Sequence, residues 1–372
     1  MNRFVKTALA IAVAGSAANA GTGDNDWATL DSEISGLASS LQPSQDGMGW
    51  AAMIRGVYDY STSDIATGGG RDVSGVNFKD VDLAFWGNSG AFMYRVSADI
   101  DNNEAGLGGG QANFVLEDAF VAWNCGEYFK AMMGQFKPRL LQSGSVDPEN
   151  LLFINRTVLG SAADFWDMGI QASGNYDQFS WYLSVMNGVD GHEKDAAYAL
   201  RVEWMMNEGA GEIEGATGSS DTLNGTVGLT WVHDDSFSTG TAGQADDTEA
   251  FLLDLNGSVS NFGLGFEVAK TGDTFGAFTD EDYSNLVVPL IIDVDSQPWS
   301  LTGSYLINPE WEVGARYEDL DNATNGDDNT VLSLGANWRR DGGKWQVQWS
   351  DFDGDTLDGS VFELGYAIGH SR

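Results

Sequence analysis

Residues 91–101, AFMYRVSADID, alternate between two kinds of side chain. Phe92, Tyr94 and Val96 fall on one face, whereas Arg95 and Asp99 fall on the other. A period of two residues is typical of a β-strand with one apolar and one wet face. In a soluble sandwich the apolar face points to the core. In a membrane barrel it points to lipid, and the polar face lines the lumen.

About sixteen such runs of roughly ten residues follow one another from residue 48 to 372. The connections between them alternate between short turns and long polar loops, and only residues 207–222 are long where a short turn is expected. Tryptophan and tyrosine concentrate near the ends of the runs, as in the aromatic girdles of membrane barrels. These features predict an all-β fold: a transmembrane antiparallel β-barrel of about 16 strands over residues 48–372.

Residues 1–20 have the pattern of a secretory signal peptide, with cleavage expected between Ala20 and Gly21. No later apolar run is long enough for a spanning helix. We therefore expect an exported protein of the bacterial outer membrane, and a soluble secreted adhesin is the alternative. The net charge of −37 excludes nucleic acid as a partner, because no basic stripe is present to neutralise phosphates.

Residues 21–47 differ from the rest of the chain. Five apolar side chains recur at 3-4-3-4 spacing: Trp27, Leu30, Ile34, Leu37 and Leu41. This heptad seam predicts a short helical segment that pairs between subunits as a coiled coil. A short amphipathic helix or plug at the barrel mouth is the alternative.

Four arginines fall on the polar face of their predicted strands: Arg55, Arg95, Arg201 and Arg316. Each has an acidic residue within a few positions on the same face. One interpretation is an electric field across a pore constriction that attracts anions and polar solutes. The other is a set of structural ion pairs that keep the wall rigid.

Residues 137–166 form the longest connection without a strand pattern, and this connection is unusually apolar. A solvated outer loop would not carry so many leucines and isoleucines. We expect it to fold back into the barrel and narrow it, with Lys137, Arg139 and Arg156 facing the channel.

Six motifs carry a resemblance to a known family: EDAFVAW (117–123), GQFKPRL (134–140), FINR (153–156), DMGIQASG (167–174), SVMNG (184–188) and WEVGARYEDLD (311–321). In this order they resemble the phosphate-selective porins O and P. The resemblance implies a sixteen-stranded, trimeric channel in outer-membrane lipid, with its third loop folded inward. It implies passive diffusion of small ions and polar solutes, with an anion or phosphate preference. By position, Lys137, Arg139 and Arg156 match the family's loop-associated basic residues.

The chain departs from the family pattern in three places. Trp166 stands where the family usually has arginine, His370-Ser371-Arg372 replaces the customary terminal aromatic residue, and lysines number only seven. Because charges at a narrow constriction are screened less than the acids of the outer loops, we predict a weakly anion-preferring or nearly non-selective pore. A cation-preferring general porin is the alternative.

Calcium binding and hydrolysis are two further functions that the sequence could support. Asp351, Asp353 and Asp355 alternate as in a calcium loop, although the bidentate glutamate is missing, and a solvated acidic surface explains them as well. No other cofactor is expected. No enzyme motif is present, and an outer-membrane barrel hydrolase would depend on His233 in the sequence VHDD as a general base.

The heptad seam gives the first prediction. Deleting residues 21–47 should weaken an oligomer and leave the barrel folded, because the seam pairs subunits while the strands close the barrel. The trimer fraction on mild gels measures the first effect, and heat-modifiable migration measures the second. An unchanged trimer fraction would show that the seam is not needed.

Overall fold

Sixteen strands form one closed barrel, which confirms the predicted fold. The computed structural model describes residues 47–62, 73–101, 113–126, 128–188, 196–211, 213–238, 245–271, 296–321, 329–354 and 358–371. The strands are β1 (Met48–Ser61), β2 (Val73–Ser89), β3 (Phe92–Asp101), β4 (Asn113–Asn124), β5 (Lys130–Phe136), β6 (Asp167–Tyr176), β7 (Phe179–Met186), β8 (Ala197–Met206), β9 (Asn224–Ser238), β10 (Ala245–Val259), β11 (Phe262–Thr271), β12 (Trp299–Asn308), β13 (Trp311–Asp319), β14 (Asn329–Arg340), β15 (Gly343–Gly354) and β16 (Gly359–Ser371).

The barrel closes where the two ends of the chain meet. Strand β1 pairs antiparallel with β16, with Arg55 opposite Ala367 and Asp59 opposite Glu363. Closure leaves no free sheet edge, so every strand finds backbone partners on both sides, as a spanning sheet must in lipid.

The two faces of the wall differ as the alternation predicts. In β14, Leu332 and Leu334 are exposed on the outside, whereas the alternate residues Val331 and Ser333 are fully buried on the inside. In β3, Phe92 and Tyr94 are exposed on the outside and Arg95 points inward. The apolar face of residues 91–101 is therefore the outer, lipid-facing side.

Two irregularities turn additional acidic side chains inward. Strand β4 carries a bulge, because both Glu117 and Asp118 lie opposite Ser97 of β3. In β2, Phe78 and Leu83 are both exposed on the outer face although they are five positions apart, so the alternation slips by one residue between them. Bulges of this kind re-aim side chains and are common at functional walls.

Two connections enter the barrel from opposite ends. The inward loop, residues 137–166, joins β5 to β6 and contains α1 (Gln142–Ser145), a 3₁₀ turn (Pro148–Asn150) and α2 (Val158–Ala162). The connection of residues 207–223 joins β8 to β9 at the end where the short turns lie, and we call it the turn-side segment. It folds inward and meets the inward loop: the Glu214 amide donates to the Asn150 carbonyl at 3.1 Å.

The chain divides into two units, residues 1–48 and 49–372. The predicted signal peptide lies outside the described residues, as does the heptad seam, so both stay predictions. Among the described residues, no helix is long and apolar enough to cross a membrane.

The outward face gives the second prediction. Leu253 lies in the middle of β10 and is exposed on the outer face. Replacing it with lysine should lower the free energy of unfolding by about 2–4 kcal/mol, because the ammonium enters the hydrocarbon layer. Urea titration of the barrel refolded in bilayers, followed by tryptophan fluorescence, measures the change.

The matched control is Asn88→Lys, at an exposed position near the turn end of β2. It should change the free energy of unfolding by no more than about 0.5 kcal/mol. Equal losses at both positions would mean that the outer face of β10 does not meet lipid.

Candidate functional site

Three of the predicted wall arginines bind the backbone of the inward loop. The Nη1 atom of Arg201 donates to the Leu140 carbonyl at 2.6 Å, and that of Arg55 donates to the Ile154 carbonyl at 2.8 Å. Arg316 donates in the same way to the Asn155 carbonyl at 3.0 Å. Buried carbonyls need such donors, so these arginines hold the loop inside the barrel.

The same arginines are also neutralised by buried carboxylates. The two Nη atoms of Arg201 donate to both carboxylate oxygens of Asp254, at 2.6 and 3.1 Å. The Nε atom of Arg201 lies 2.7 Å from Glu203. Arg316 pairs with Glu318 at 2.9 Å. Arg55 pairs with Asp80 from the neighbouring strand β2. Because all three guanidinium groups are buried, the pairs are structural, and loss of either partner would leave a buried charge uncompensated.

The basic residues of the loop itself are paired within the barrel. Arg139 lies 2.6 Å from Glu203. Lys137 and Arg156 both pair with Asp164 near the end of the loop. Arg156 is only 3% exposed, and its Nη1 donates to the Ser143 and Val146 carbonyls at 2.7 and 2.6 Å, so it does not face the channel.

Asp164 carries the negative charge that pairs with both of these cations. Burial alone would raise the pKa of its carboxyl group, but the charges of Lys137 and Arg156 outweigh burial and lower that pKa below its ordinary value. The carboxylate therefore stays ionised at neutral pH and keeps both cations in place.

Side chains of β14 and β15 form further hydrogen bonds with the backbone of the inward loop. Lys344 donates to the Leu151 carbonyl at 2.8 Å, and Asn337 donates to the Leu152 carbonyl at 2.7 Å. Gln348 accepts from the Ile154 amide at 2.7 Å. Together with Arg316 of β13, these side chains of β14 and β15 bind a single stretch of the loop, residues 151–155.

Glycines of the wall make room for the apolar tip of the loop. A Cβ atom at Gly335 would lie 2.9 Å from the Phe153 ring, and one at Gly314 would lie 2.9 Å from Leu152. Both glycines are on the inward face, so their missing side chains leave a groove that the loop fills. Farther round the wall, small and apolar side chains pack around Leu140, Leu141 and Leu159 of the loop.

The wall formed by β2, β3 and β4 is different, because its inward charged side chains keep partial contact with water. Arg95 is 40% exposed and lies 2.7 Å from Asp118. An acidic strip surrounds it and consists of Asp80, Asp82, Asp99, Glu117 and Asp118. Asp82 lies directly opposite Asp99 in register, and it interacts electrostatically with Asp80 and Glu117. Like charges at such positions repel, so this wall favours a water-filled and ion-bearing space beside it.

The three aspartates of the calcium hypothesis are only partly within the described residues. Asp351 accepts a hydrogen bond from Ser360 Oγ at 2.6 Å, whereas Asp355 lies outside the described residues. In the described part of the chain, no group of three or more His, Cys, Asp or Glu side chains is placed to hold a metal ion. Calcium binding by Asp351, Asp353 and Asp355 stays a prediction.

His233 lies on the outer side of β9 and stacks on Trp231, with ring centroids 5.9 Å apart. Asp234, the next residue, is buried on the inner side. Neighbouring residues of a strand point to opposite faces, so the VHDD sequence does not bring His233 and Asp234 to one site.

A family model for phosphate-selective porin O and P matches residues 53–260, which is more than half of the chain. The chain belongs to the phosphate-selective porin O and P family. Five of the six motifs that suggested the family lie within the matched range, and residues 311–321 lie beyond it. The porin is an outer-membrane protein that forms a channel. No curated protein matches the chain.

Solved structures share the fold. A loop deletion mutant of OmpT, an outer membrane protein of Vibrio cholerae, is 13% identical over 87% of this chain and 99% of its own, with a TM-score of 0.59. The trimer form of in-vitro folded OmpT is 12% identical over 88% of this chain and 100% of its own, with a TM-score of 0.57. The anion-selective porin from Comamonas acidovorans is 12% identical over 88% of this chain and 100% of its own, with a TM-score of 0.58.

The anchoring of the loop gives the third prediction. Replacing Arg316 with alanine should lower the free energy of unfolding by about 3–5 kcal/mol, because Glu318 stays buried without its counter-charge. The variant should also raise single-channel conductance, because the Asn155 carbonyl loses its donor and the loop loosens. Denaturant titration and planar-bilayer recordings measure the two effects.

The matched control is Arg340→Ala. Arg340 also pairs with an acid, Asp341, but both side chains are exposed. This variant should keep the conductance and change the free energy of unfolding by no more than about 0.5 kcal/mol. If Arg316→Ala behaved like this control, the loop would not depend on that arginine.

Proposed function

We propose that the porin is a passive diffusion channel for small ions and polar solutes, with its route beside the acidic strip. The single observation that supports this route is the contrast in burial around the wall. Side chains of β13 to β16 are covered by the inward loop, whereas Arg95 and its neighbours on β2 to β4 keep contact with water. A solute follows the side that the loop leaves open.

We further propose that this route weakly prefers cations. Arg55, Arg156, Arg201 and Arg316 are buried by their contacts with the loop and with carboxylates, so they are shielded from a passing solute. The acidic strip lies on the open side. Rings and strips of carboxylates favour cations in narrow pores, where salt screens them less than on the outer surface.

The alternative to a cation preference is the anion or phosphate preference that the family description suggests. Arg95 favours it, because this guanidinium has the largest exposure among the seven predicted pore residues. Asp118 neutralises Arg95 at 2.7 Å, and Asp99 on the same strand as Arg95 is a further acid on that wall. We therefore assign Arg95 the role of reducing the cation preference.

We propose a channel without hydrolase activity, because the acid–base pair that VHDD suggested is divided between the two faces of the wall. We also propose a homotrimer. The heptad seam supports it, and so does the related fold of OmpT, for which a trimer form is known.

Ion selectivity gives the fourth prediction. Under a KCl gradient across a planar bilayer, the wild-type reversal potential should have the sign of cation preference. Changing Asp99→Asn together with Asp118→Asn should move it toward anions, because two carboxylates leave the open wall and Arg95 loses its partner. Arg95→Ala should move it further toward cations.

The control is Glu310→Gln, at an exposed turn between β12 and β13, which removes one negative charge outside the lumen. Its reversal potential should equal that of the wild type. A wild-type channel that prefers anions and is unaffected by the double change would contradict the proposed route and restore the rival preference.

A further inference from the structure

We propose that the turn-side segment is a second constriction that sets the size limit for solutes, and that Glu312 of β13 is the residue that positions it. This inference rests on the proposed function as a diffusion channel. It is supported by the length of the segment, by its contacts with the inner wall, and by one buried carboxylate.

The turn-side segment is much longer than the connection requires. Strands β8 and β9 are neighbours in the barrel. The two ends of the segment touch, because the Asn207 side chain donates to the Leu223 carbonyl at 2.5 Å. Other connections at this end, such as residues 177–178 and 260–261, are tight turns. The excursion of residues 210–221 into the barrel is therefore not needed to join the two strands.

The segment lies against the inner wall from β9 to β13. The Ala210 amide donates to the hydroxyl of Thr226 on β9 at 2.9 Å. Gly263 of β11 makes room for the segment, because a Cβ atom there would lie 2.7 Å from the nitrogen of Ala216. Farther along, the Ala216 amide donates to Glu312 of β13 at 2.6 Å. The segment therefore occupies the turn end of the lumen along this part of the wall.

This part of the wall is opposite the acidic strip. In the closed ring of sixteen strands, β11 is half a turn away from β3. The segment therefore narrows the lumen from the side that faces β2 to β4. Pore diameter decides which solutes a channel admits, so the segment limits solute size at the turn end, whereas the inward loop limits it from the other end.

Glu312 holds the segment in this position. Its carboxylate is fully buried, and it accepts hydrogen bonds from the Ala216 amide on Oε1 at 2.6 Å and from the Thr217 hydroxyl on Oε2 at 2.7 Å. Arg339 of β14 also donates to Oε2, at 2.9 Å, and balances the charge. A glutamine there would turn its NH₂ group toward either the Ala216 amide or the Arg339 guanidinium, which are both donors. The segment would therefore lose part of its anchor.

Two variants test the constriction. Deleting residues 210–221 joins Gly209 to Thr222 in a short turn, and it should raise single-channel conductance in planar bilayers at least about 1.5-fold. This variant should also admit larger polyethylene glycols in liposome-swelling assays. Glu312→Gln should give a smaller rise, because the segment loosens but stays in the lumen. Heat-modifiable migration shows whether each barrel is folded.

The matched control is Glu310→Gln, which removes a negative charge from an exposed position in the adjoining turn. It should keep both the conductance and the size limit of the wild type. The inward loop keeps its hydrogen bonds from Asn337 and Lys344 in all of these variants, so a change in conductance is assigned to the segment.

A folded deletion variant that conducts like the wild type, or that does not conduct, overturns the inference. If the deletion variant does not fold, Glu312→Gln decides in the same way. A rise in the deletion variant without one in Glu312→Gln supports the constriction and contradicts the role of Glu312. The proposed function fails separately: a wild type that conducts only after the segment is removed contradicts an open diffusion route and supports the segment as the barrier.

Discussion

The constraint on which this structure depends is the need to pair the backbone of a loop that crosses the interior of the barrel. Inside the lumen, the carbonyl and amide groups of residues 137–166 are removed from bulk water, so each needs a partner from the wall. Arg55, Arg201 and Arg316 provide donors for three carbonyls, and Lys344 provides a fourth. Wall glycines such as Gly335 leave space for the loop side chains. The position of the loop, and with it the shape of the pore, follows from these contacts.

The anchoring of the loop determines which lumenal charges can act on a passing ion. A guanidinium that holds a buried carbonyl and a buried carboxylate is shielded from a passing ion, although it lies on the inward face. The charges that act on a solute are those on the wall that the loop leaves uncovered. There the bulge that turns both Glu117 and Asp118 inward gives the surface an acidic character. Two interpretations of the arginines were open, and the geometry favours the structural one for Arg55, Arg201 and Arg316.

Much of the fold could be predicted from the sequence, because strand alternation is a local property. The alternation predicted about 16 strands, and the structure has sixteen in one closed barrel. The apolar composition of residues 137–166 predicted an inward loop. The bulge in β4 could not be predicted in the same way, since it depends on pairing with β3. The only available signal was a pair of adjacent acids, Glu117 and Asp118, within an otherwise apolar run.

The sequence by itself determined the closed barrel, its lipid-facing side and the inward loop, because each depends on side-chain patterns within one segment. It also identified residues 207–222 as an irregular connection, but not their destination. Only the tertiary structure decided which acid pairs with each arginine, as with Arg55 and Asp80. It also placed the turn-side segment against the inward loop, where the Glu214 amide donates to the Asn150 carbonyl. The physical reason is that these contacts join residues far apart in the chain, and only barrel closure brings those residues within hydrogen-bonding distance.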